Sequence, residues 1–127
     1  MKLYFDTSVL VAALLEQHPE HASAYRRLHS VKVKESEGLI TTHGLAELYA
    51  TLSSLPLKPK LLPADANRIL QHSILPLFTL IPLTTEHYLH SLQLTVESNL
   101  PSGAIYDALH LVAARLSNCD ALLTFNL

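Results

Sequence analysis

The chain has 127 residues, 49% of them hydrophobic and 16% charged, a composition that excludes intrinsic disorder and predicts a single domain over residues 1–127. Its formal net charge of −2 argues against a protein that binds nucleic acid over its whole surface by neutralising phosphates. The longest apolar run, residues 9–15, is far below the roughly 20 residues of a membrane span, and Asp6 interrupts any signal-peptide pattern. The single cysteine, Cys119, excludes a disulfide framework and favours a reducing cytoplasm.

The first elements in chain order are a strand and a helix. Residues 3–5 form an apolar, aromatic-rich run too short for a helix, and Asp6, Thr7 and Ser8 then supply a helix start. Asp6 therefore ends a buried strand, although a simple helix N-cap is an alternative role for it. A first helix is predicted over residues 8–16. A second is predicted to begin near Pro19, at its first helical position.

The middle of the chain alternates between strand and helix patterns. Residues 39–42 predict a second strand, and a third helix that carries Glu47 follows directly. Three prolines between residues 55 and 63 predict an exposed, irregular connection. Residues 64–75 return to a helical pattern, and the apolar run over residues 77–83 predicts a third strand.

The last part of the chain predicts two helices and a strand. Thr84 or Thr85 is expected to cap a helix over residues 86–97, with Tyr88, Leu92 and Val96 facing inward. A turn then leads to an apolar helix over residues 104–116 and to a final strand over residues 121–125. Strands that alternate with helices predict a three-layer α/β/α fold with a mainly parallel central sheet of about four strands.

Three of the eleven acidic residues stand out by their position: Asp6, Glu47 and Asp107. Glu47 and Asp107 lie among apolar helical neighbours, where a carboxylate is costly to bury unless it is paired, protonated or bound to a cation. No basic residue is local enough to pair with them, since the nearest along the helix of Asp107 is Arg115. Converging carboxylates favour Mg²⁺ or Mn²⁺ and a metal-activated water that attacks a phosphodiester. A polar residue on a wet helix surface is the alternative interpretation of Asp107.

Five segments, spread in order over the whole chain, resemble a known family: YFDTS at residues 4–8, HPEHA at 18–22, AEL at 46–48, IYDAL at 105–109 and LLTFN at 122–126. Together they resemble a PIN-domain ribonuclease of the VapC type, the toxin of bacterial toxin-antitoxin pairs. The resemblance implies an Mg²⁺- or Mn²⁺-dependent endoribonuclease with Asp6, Glu47 and Asp107 at the positions of the family's acidic, catalytic metal site. It also implies an RNA substrate, a homodimer and inhibition by a cognate antitoxin.

The C-terminal residues depart from the family pattern. Asn126 stands where the family often has a fourth acid, and the chain stops at Leu127, where relatives usually continue through another short strand. Asn126 can coordinate a cation or hydrogen-bond water but brings no charge. We expect Asn126, Ser8 and Thr124 to have auxiliary roles beside the three acids.

Two histidines lie one helical turn from the predicted acids: His43 precedes Glu47 by four residues, and His110 follows Asp107 by three. They are interpreted either as packing residues or as donors to metal-bound carboxylates or to RNA phosphate. The eight histidines of the chain show no zinc-ligand spacing.

Two other functions fit parts of the pattern. A catalytically weak PIN-like module that binds RNA or protein would explain Asn126, the short C-terminus and the absence of net positive charge. A phosphoacceptor receiver domain shares the α/β pattern, but it needs an acidic pair after the first strand and a lysine after a later one. Here Thr7 and Ser8 follow Asp6.

Overall fold

The structure is a computed structural model and describes residues 1–126. Within that range the strands are β1 (Lys2–Phe5), β2 (Glu37–Thr41), β3 (Phe78–Ile81) and β4 (Ala121–Leu123). The helices are α1 (Thr7–Leu14), α2 (His21–Lys32), α3 (Thr42–Ser54), α4 (Pro63–Ile69, continued by a π-helical turn over Leu70–Ile74), α5 (Thr85–Glu97) and α6 (Ala104–Leu116). None of these described helices has the length and apolar character needed to cross a membrane.

The four strands form one parallel sheet in the order β3-β2-β1-β4. Tyr4 of the central strand β1 pairs with Leu39 of β2 and with Leu122 of β4. In chain order, β2 is added beside β1 and β3 beside β2. The chain then crosses back, and β4 is added on the opposite side of β1. The strand order therefore reverses at β1 and β4, and open α/β sheets bind ligands outside the carboxyl ends of strands at such a point. The predicted three-layer α/β/α fold is confirmed.

The side chains of β1 alternate between two hydrophobic cores. Leu3 and Phe5 belong to the larger core, which contains residues of α1, α2, α3 and α4. Tyr4 belongs to the smaller core, which contains Ala113 and Ala114 of α6. All three β1 residues are buried, as expected for a central strand of a parallel sheet covered on both faces. Because alternation has a period of two, Asp6 leaves the strand on the Tyr4 side, toward α6.

Some predicted boundaries are wrong. The second helix begins at His21 and not near Pro19, because residues 16–20 form turns in which the Glu20 amide donates to His18 Nδ1 at 3.0 Å. Strand β4 ends at Leu123 and not at residue 125, because the next residues turn toward Asp6. The predicted helix over residues 64–75 is present, but its second half is π-helical. By contrast, α6 has the predicted bounds.

The predicted inward face of α5 is also wrong. Tyr88, Leu92 and Val96 are 43%, 51% and 77% exposed. The positions that pack inward are polar and mostly small, and they are His87, Ser91 and Thr95. Their burial costs little because Ser91 Oγ and Thr95 Oγ1 donate to carbonyls of their own helix, at 2.7 and 2.8 Å. An apolar stripe of α5 therefore faces away from the described chain.

Candidate active site

Asp6 is held at the carboxyl end of β1 and is only 5% exposed. It occupies the N-cap position of α1, but its side chain makes no capping hydrogen bond. Its Oδ2 instead accepts three hydrogen bonds, from Ser8 Oγ at 3.0 Å, Thr124 Oγ1 at 2.7 Å and Asn126 Nδ2 at 3.2 Å. These neutral donors satisfy the buried oxygen and fix the orientation of the carboxylate. The alternative of a simple capping role does not describe this side chain.

The same residues tie the two ends of the chain together around Asp6. The Asp6 amide donates to the Leu123 carbonyl at 3.0 Å, which extends the pairing of β1 with β4. The Phe125 amide donates to Ser8 Oγ at 3.1 Å, and the Asn126 amide donates to Thr124 Oγ1 at 3.0 Å. The three predicted auxiliary residues therefore lie together at the site, in direct contact with Asp6.

His110 of α6 contacts the other oxygen of Asp6. Its Nε2 lies 3.5 Å from Asp6 Oδ1 and 2.6 Å from Glu47 Oε1, and its Nδ1 lies 2.7 Å from the Tyr4 hydroxyl oxygen. The side chain is 6% exposed. The first turn of α3 packs beside the ring, where a Cβ on Gly44 would lie 3.5 Å from His110, an ordinary van der Waals distance. His110 thus joins α6, β1 and α3 at one point.

Two opposing effects set the pKa of His110. Burial lowers it, but the hydrogen bond to Glu47 and the negative charges of Asp6, Glu47 and Asp107 outweigh burial, so the pKa lies above the ordinary value of histidine. The protonated ring, in which both nitrogens donate, is therefore stabilised relative to that of a free histidine. Burial raises the pKa of the Tyr4 hydroxyl, and the nearby charges of Asp6 and Glu47 raise it further. Tyr4 consequently stays neutral and can accept from Nδ1.

No basic residue was expected close enough in sequence to pair with the acids, but Asp6 and Glu47 have a distant partner in His110. His110 is 63 residues from Glu47 and 104 from Asp6 in the chain, so the pairing is not visible among sequence neighbours. Its predicted hydrogen bond to a carboxylate is present, but it goes to Glu47 and not to its neighbour Asp107. Tyr4, which orients His110, is a further site residue that the sequence analysis did not predict. The signal for both was a polar group inside an otherwise apolar strand or helix, which needs a partner when it is buried.

Glu47 reaches the site from the second turn of α3, and its side chain is 30% exposed. His43 Nε2 lies 3.5 Å from the same Glu47 oxygen, yet this buried nitrogen has no hydrogen-bond partner among residues 1–126. The His43 ring stacks on Tyr106 of α6, with 5.6 Å between centroids. His43 therefore packs between α3 and α6 and keeps a free hydrogen-bonding capacity beside Glu47.

Asp107 is exposed and therefore carries no burial cost, in agreement with the alternative interpretation of a polar residue on a wet helix surface. It lies in the first turn of α6, where a negative charge interacts favourably with the helix dipole. The buried residues of this part of α6 are the next three, 108–110. Asp107 nevertheless lines the same groove as Asp6 and Glu47. The structure thus brings all three predicted acids to one cleft, with Asp107 at its open side.

This carboxylate groove has a volume of about 630 Å³ and crosses the carboxyl ends of β1 and β4. Four carboxylates line it, from Asp6, Glu20, Glu47 and Asp107, and its lining within residues 1–126 includes no lysine or arginine. His18 and Phe125 stack on one another at its edge, with 6.3 Å between ring centroids. A groove of this charge repels phosphate unless a cation intervenes.

The donors of the groove suit a hard divalent cation, because Mg²⁺ and Mn²⁺ prefer carboxylate and amide oxygens. The side chains are not gathered into a ligand cage. In the part of the chain that the structure describes, no cluster of three or more His, Cys, Asp or Glu residues is close enough to hold an ion. The His110 ring contacts both Asp6 and Glu47 in this arrangement. The donor chemistry therefore fits a cation, and Asp6, Glu47 and Asp107 are the residues that could bind it.

A parallel sheet with carboxylates at the carboxyl ends of its strands is the arrangement that the resemblance predicted, and the PIN domain family model matches residues 3–127. The chain belongs to the PIN domain family. Among characterised proteins it is similar to Ribonuclease VapC27 of Mycobacterium tuberculosis (strain ATCC 25618 / H37Rv), with 34% identity over 112 residues that cover 88% of this chain and 76% of VapC27.

Solved structures share the fold. Mycobacterium tuberculosis VapC20, a toxin that cleaves the sarcin-ricin loop, aligns with a TM-score of 0.73 and 16% identity over 98% of this chain and 89% of that one. VapBC2 of Rickettsia felis, solved with a DNA fragment from its promoter, aligns with a TM-score of 0.66 and 23% identity over 99% and 88% of the two chains. The predicted family is confirmed, and the receiver-domain alternative is excluded.

Proposed function

We propose that this protein is an endoribonuclease of the VapC type, the toxin of a toxin-antitoxin pair, and that it needs Mg²⁺ or Mn²⁺ to cleave RNA. The observation that carries this proposal is the carboxylate groove, which the three predicted acids and Glu20 line and whose described lining has no lysine or arginine. An RNA backbone can enter such a groove only with a cation to offset the repulsion. The ribonuclease VapC27, with 34% identity, supports the reaction class.

The chain's own residues have separate roles in this proposal. Asp6, Glu47 and Asp107 bind the cation, which, when bound, supplies an activated water and polarises the phosphate. Ser8, Thr124 and Asn126 hold Asp6 Oδ2 in place through their hydrogen bonds. His110 holds the Glu47 carboxylate and is itself oriented by Tyr4. These hydrogen bonds hold the carboxylates in fixed positions, and such positioning of reacting groups increases the rate of cleavage.

The test is RNA cleavage by purified protein with Mg²⁺ or Mn²⁺. Asp6→Asn and Asp107→Asn should each lose cleavage while the far-ultraviolet circular dichroism spectrum is kept. Asp65→Asn is the matched control for Asp107→Asn, because Asp65 also lies in the first turn of a helix but away from the groove. Cleavage by both groove variants at the rate of the control would refute the assignment.

A catalytically weak binding module is the second candidate function. The uncharged Asn126 and the absence of a gathered ligand cage among the described residues favour it. Calorimetric titration with Mn²⁺ separates the two functions. Measurable Mn²⁺ binding that is weakened by Asp6→Asn supports the enzyme, whereas RNA binding without any Mn²⁺ binding supports the module.

We also propose that the protein forms a homodimer through the exposed stripe of α5, defined by Leu89, Leu92 and Val96, and that a cognate antitoxin binds it. Large apolar side chains that share one helix face without a partner mark an interface. A toxin-antitoxin complex from Klebsiella pneumoniae contains a chain of the same fold, with a TM-score of 0.67, and supports the second partner. Leu92→Glu should give a monomer in analytical ultracentrifugation, and the exposed control Gln93→Glu should not.

A further inference from the structure

A second cavity, of about 320 Å³, adjoins the carboxylate groove and shares Asp6, Asp107 and Asn126 with it. From that shared end it extends between α5, α6 and the end of β4. We call it the α5–α6 slot and define it by its apolar walls, which are Leu94, Leu100, Ala104, Leu111 and Leu122. None of these five side chains is fully buried, so the slot exposes apolar surface that a ligand could cover.

The charges around the slot restrict what can enter it. Its lining within the described residues includes no lysine or arginine, and the carboxylates of Asp6 and Asp107 stand at its shared end. A phosphate group inside the slot would be desolvated and repelled. Because the apolar walls also disfavour a charged group of either sign, the occupant that fits the slot is uncharged, with apolar faces.

The polar groups of the slot are few, and they suit a ligand with a polar edge. Apart from the shared end, the polar side chains in its described lining are Thr95, Ser98, His110 and Thr124. His110 and Thr124 are already engaged in hydrogen bonds within the active site, which leaves Thr95 and Ser98 for a ligand. Thr95 Oγ1 already donates to the Leu92 carbonyl at 2.8 Å, which leaves its oxygen free to accept. The volume is at the lower end of the roughly 300–1,000 Å³ of ligand pockets. A nucleobase, which is flat, neutral and polar only at its edge, has these properties.

We propose that the α5–α6 slot binds one nucleobase of the substrate, next to the phosphodiester that is cleaved, and that it contributes the base preference of the enzyme. The choice of RNA as the ligand rests on the proposed function. The position rests on geometry, because the slot and the carboxylate groove meet at Asp6 and Asp107. Base contacts specify sequence, whereas contacts to phosphate do not.

The first experiment measures base binding without cleavage. The four neutral ribonucleosides are added at millimolar concentration to methyl-labelled protein without metal, and the methyl signals of Leu111 and Leu122 are followed by NMR. At least one nucleoside should shift them. Ala104→Leu fills the slot and should abolish the shift, whereas the control Ala64→Leu, on the exposed first turn of α4, should keep it. If Ala104→Leu does not fold, Leu100→Ala, which removes an exposed wall, should weaken the response.

The second experiment uses cleavage. An oligoribonucleotide is prepared with an abasic nucleotide at each position in turn around the cut. At one position flanking the cut, the missing base should slow the wild type about tenfold, because the apolar surface of that base is no longer buried in the slot. The Ala104→Leu protein should be slow on the intact RNA and insensitive to the abasic nucleotide, because the contact is already lost.

The outcomes distinguish the slot from the proposed function. Methyl shifts without any RNA cleavage would refute the ribonuclease while supporting the slot as a base site. Cleavage with neither nucleoside shifts nor an abasic penalty would overturn the slot and leave the ribonuclease standing. Shifts with acetyl-leucine amide but with no nucleoside would assign the slot to an apolar side chain of a protein partner, and would also overturn the proposal.

Discussion

Replacing His110 by phenylalanine tests whether this residue is the counter-ion of the site. The change keeps a ring of similar size but removes the donors to Glu47 and to the Tyr4 hydroxyl. Removing one partner of a buried charge pair costs roughly 3–5 kcal/mol. The Glu47 side chain is 30% exposed, so water can solvate it, and we expect a smaller loss of about 2–3 kcal/mol.

The assay is thermal and urea denaturation in EDTA, followed by circular dichroism. A domain of this size shifts by roughly 4 °C per kcal/mol, so the melting temperature should fall by about 8–12 °C. His90→Phe is the matched control, because His90 pairs with Glu86 at 3.9 Å on the exposed face of α5. Such a surface change should stay within about 0.5 kcal/mol.

The pH dependence of this difference has a fixed sign. Because the folded-state pKa of His110 is raised, its stabilisation is fully present below the unfolded value of about 6.5 and is lost as pH rises through the folded value. The gap between the wild type and His110→Phe should therefore be larger at pH 6 than at pH 9. Equal stability of the two proteins at pH 6, or a gap that widens with pH, would refute the role of His110 as a counter-ion.

Three further predictions concern the same site. Saturating Mn²⁺, at a hundredfold excess over its Kd, should add about 2.7 kcal/mol to the free energy of unfolding of the wild type and less to that of Asp6→Asn, as melting curves with and without Mn²⁺ will show. Tyr4→Phe removes one hydrogen bond to His110 and should cost about 0.5–1.5 kcal/mol in urea denaturation; no cost would mean that the pair is not formed. Asn126→Asp replaces a hydrogen-bond donor 3.2 Å from Asp6 by a carboxylate, so calorimetry should find tighter Mn²⁺ binding than in the wild type. The distant control Asn67→Asp should bind Mn²⁺ as the wild type does.

Local patterns in the sequence were sufficient to predict the order of the elements and the position of Asp6 directly after β1. The bounds of α6 and the position of Asp6 at the end of β1 follow from apolar runs and helix-start signals, which depend only on neighbouring residues. The inward face of α5 could not be predicted in this way. Its spacing shows a helix with an apolar stripe, but the spacing is the same whether that stripe faces the core or a second molecule.

The contacts of His110 with Asp6 and Glu47 could not be predicted from local patterns, for a different reason. They join residues that are 104 and 63 positions apart, and their contact depends on how α3 and α6 pack across the end of β1. Sequence reasoning could state that each buried polar group needs a partner. Which partner it finds is a property of the tertiary structure.

The position of His110 leads to a last prediction, about the competition between its charge and a cation. Asp6 and Glu47 are both in contact with the ring, so a cation bound to these carboxylates must weaken the interactions that favour the protonated imidazole. In His110→Phe no imidazolium competes with the cation for the carboxylates of Asp6 and Glu47. Mn²⁺ should therefore raise the melting temperature of His110→Phe at pH 6 by more than that of the wild type, and at pH 9, where the wild-type ring is less protonated, the two increments should converge. The His90→Phe control should follow the wild type at both values. Equal increments for the wild type and His110→Phe at pH 6 would mean that the cation and His110 do not share these carboxylates.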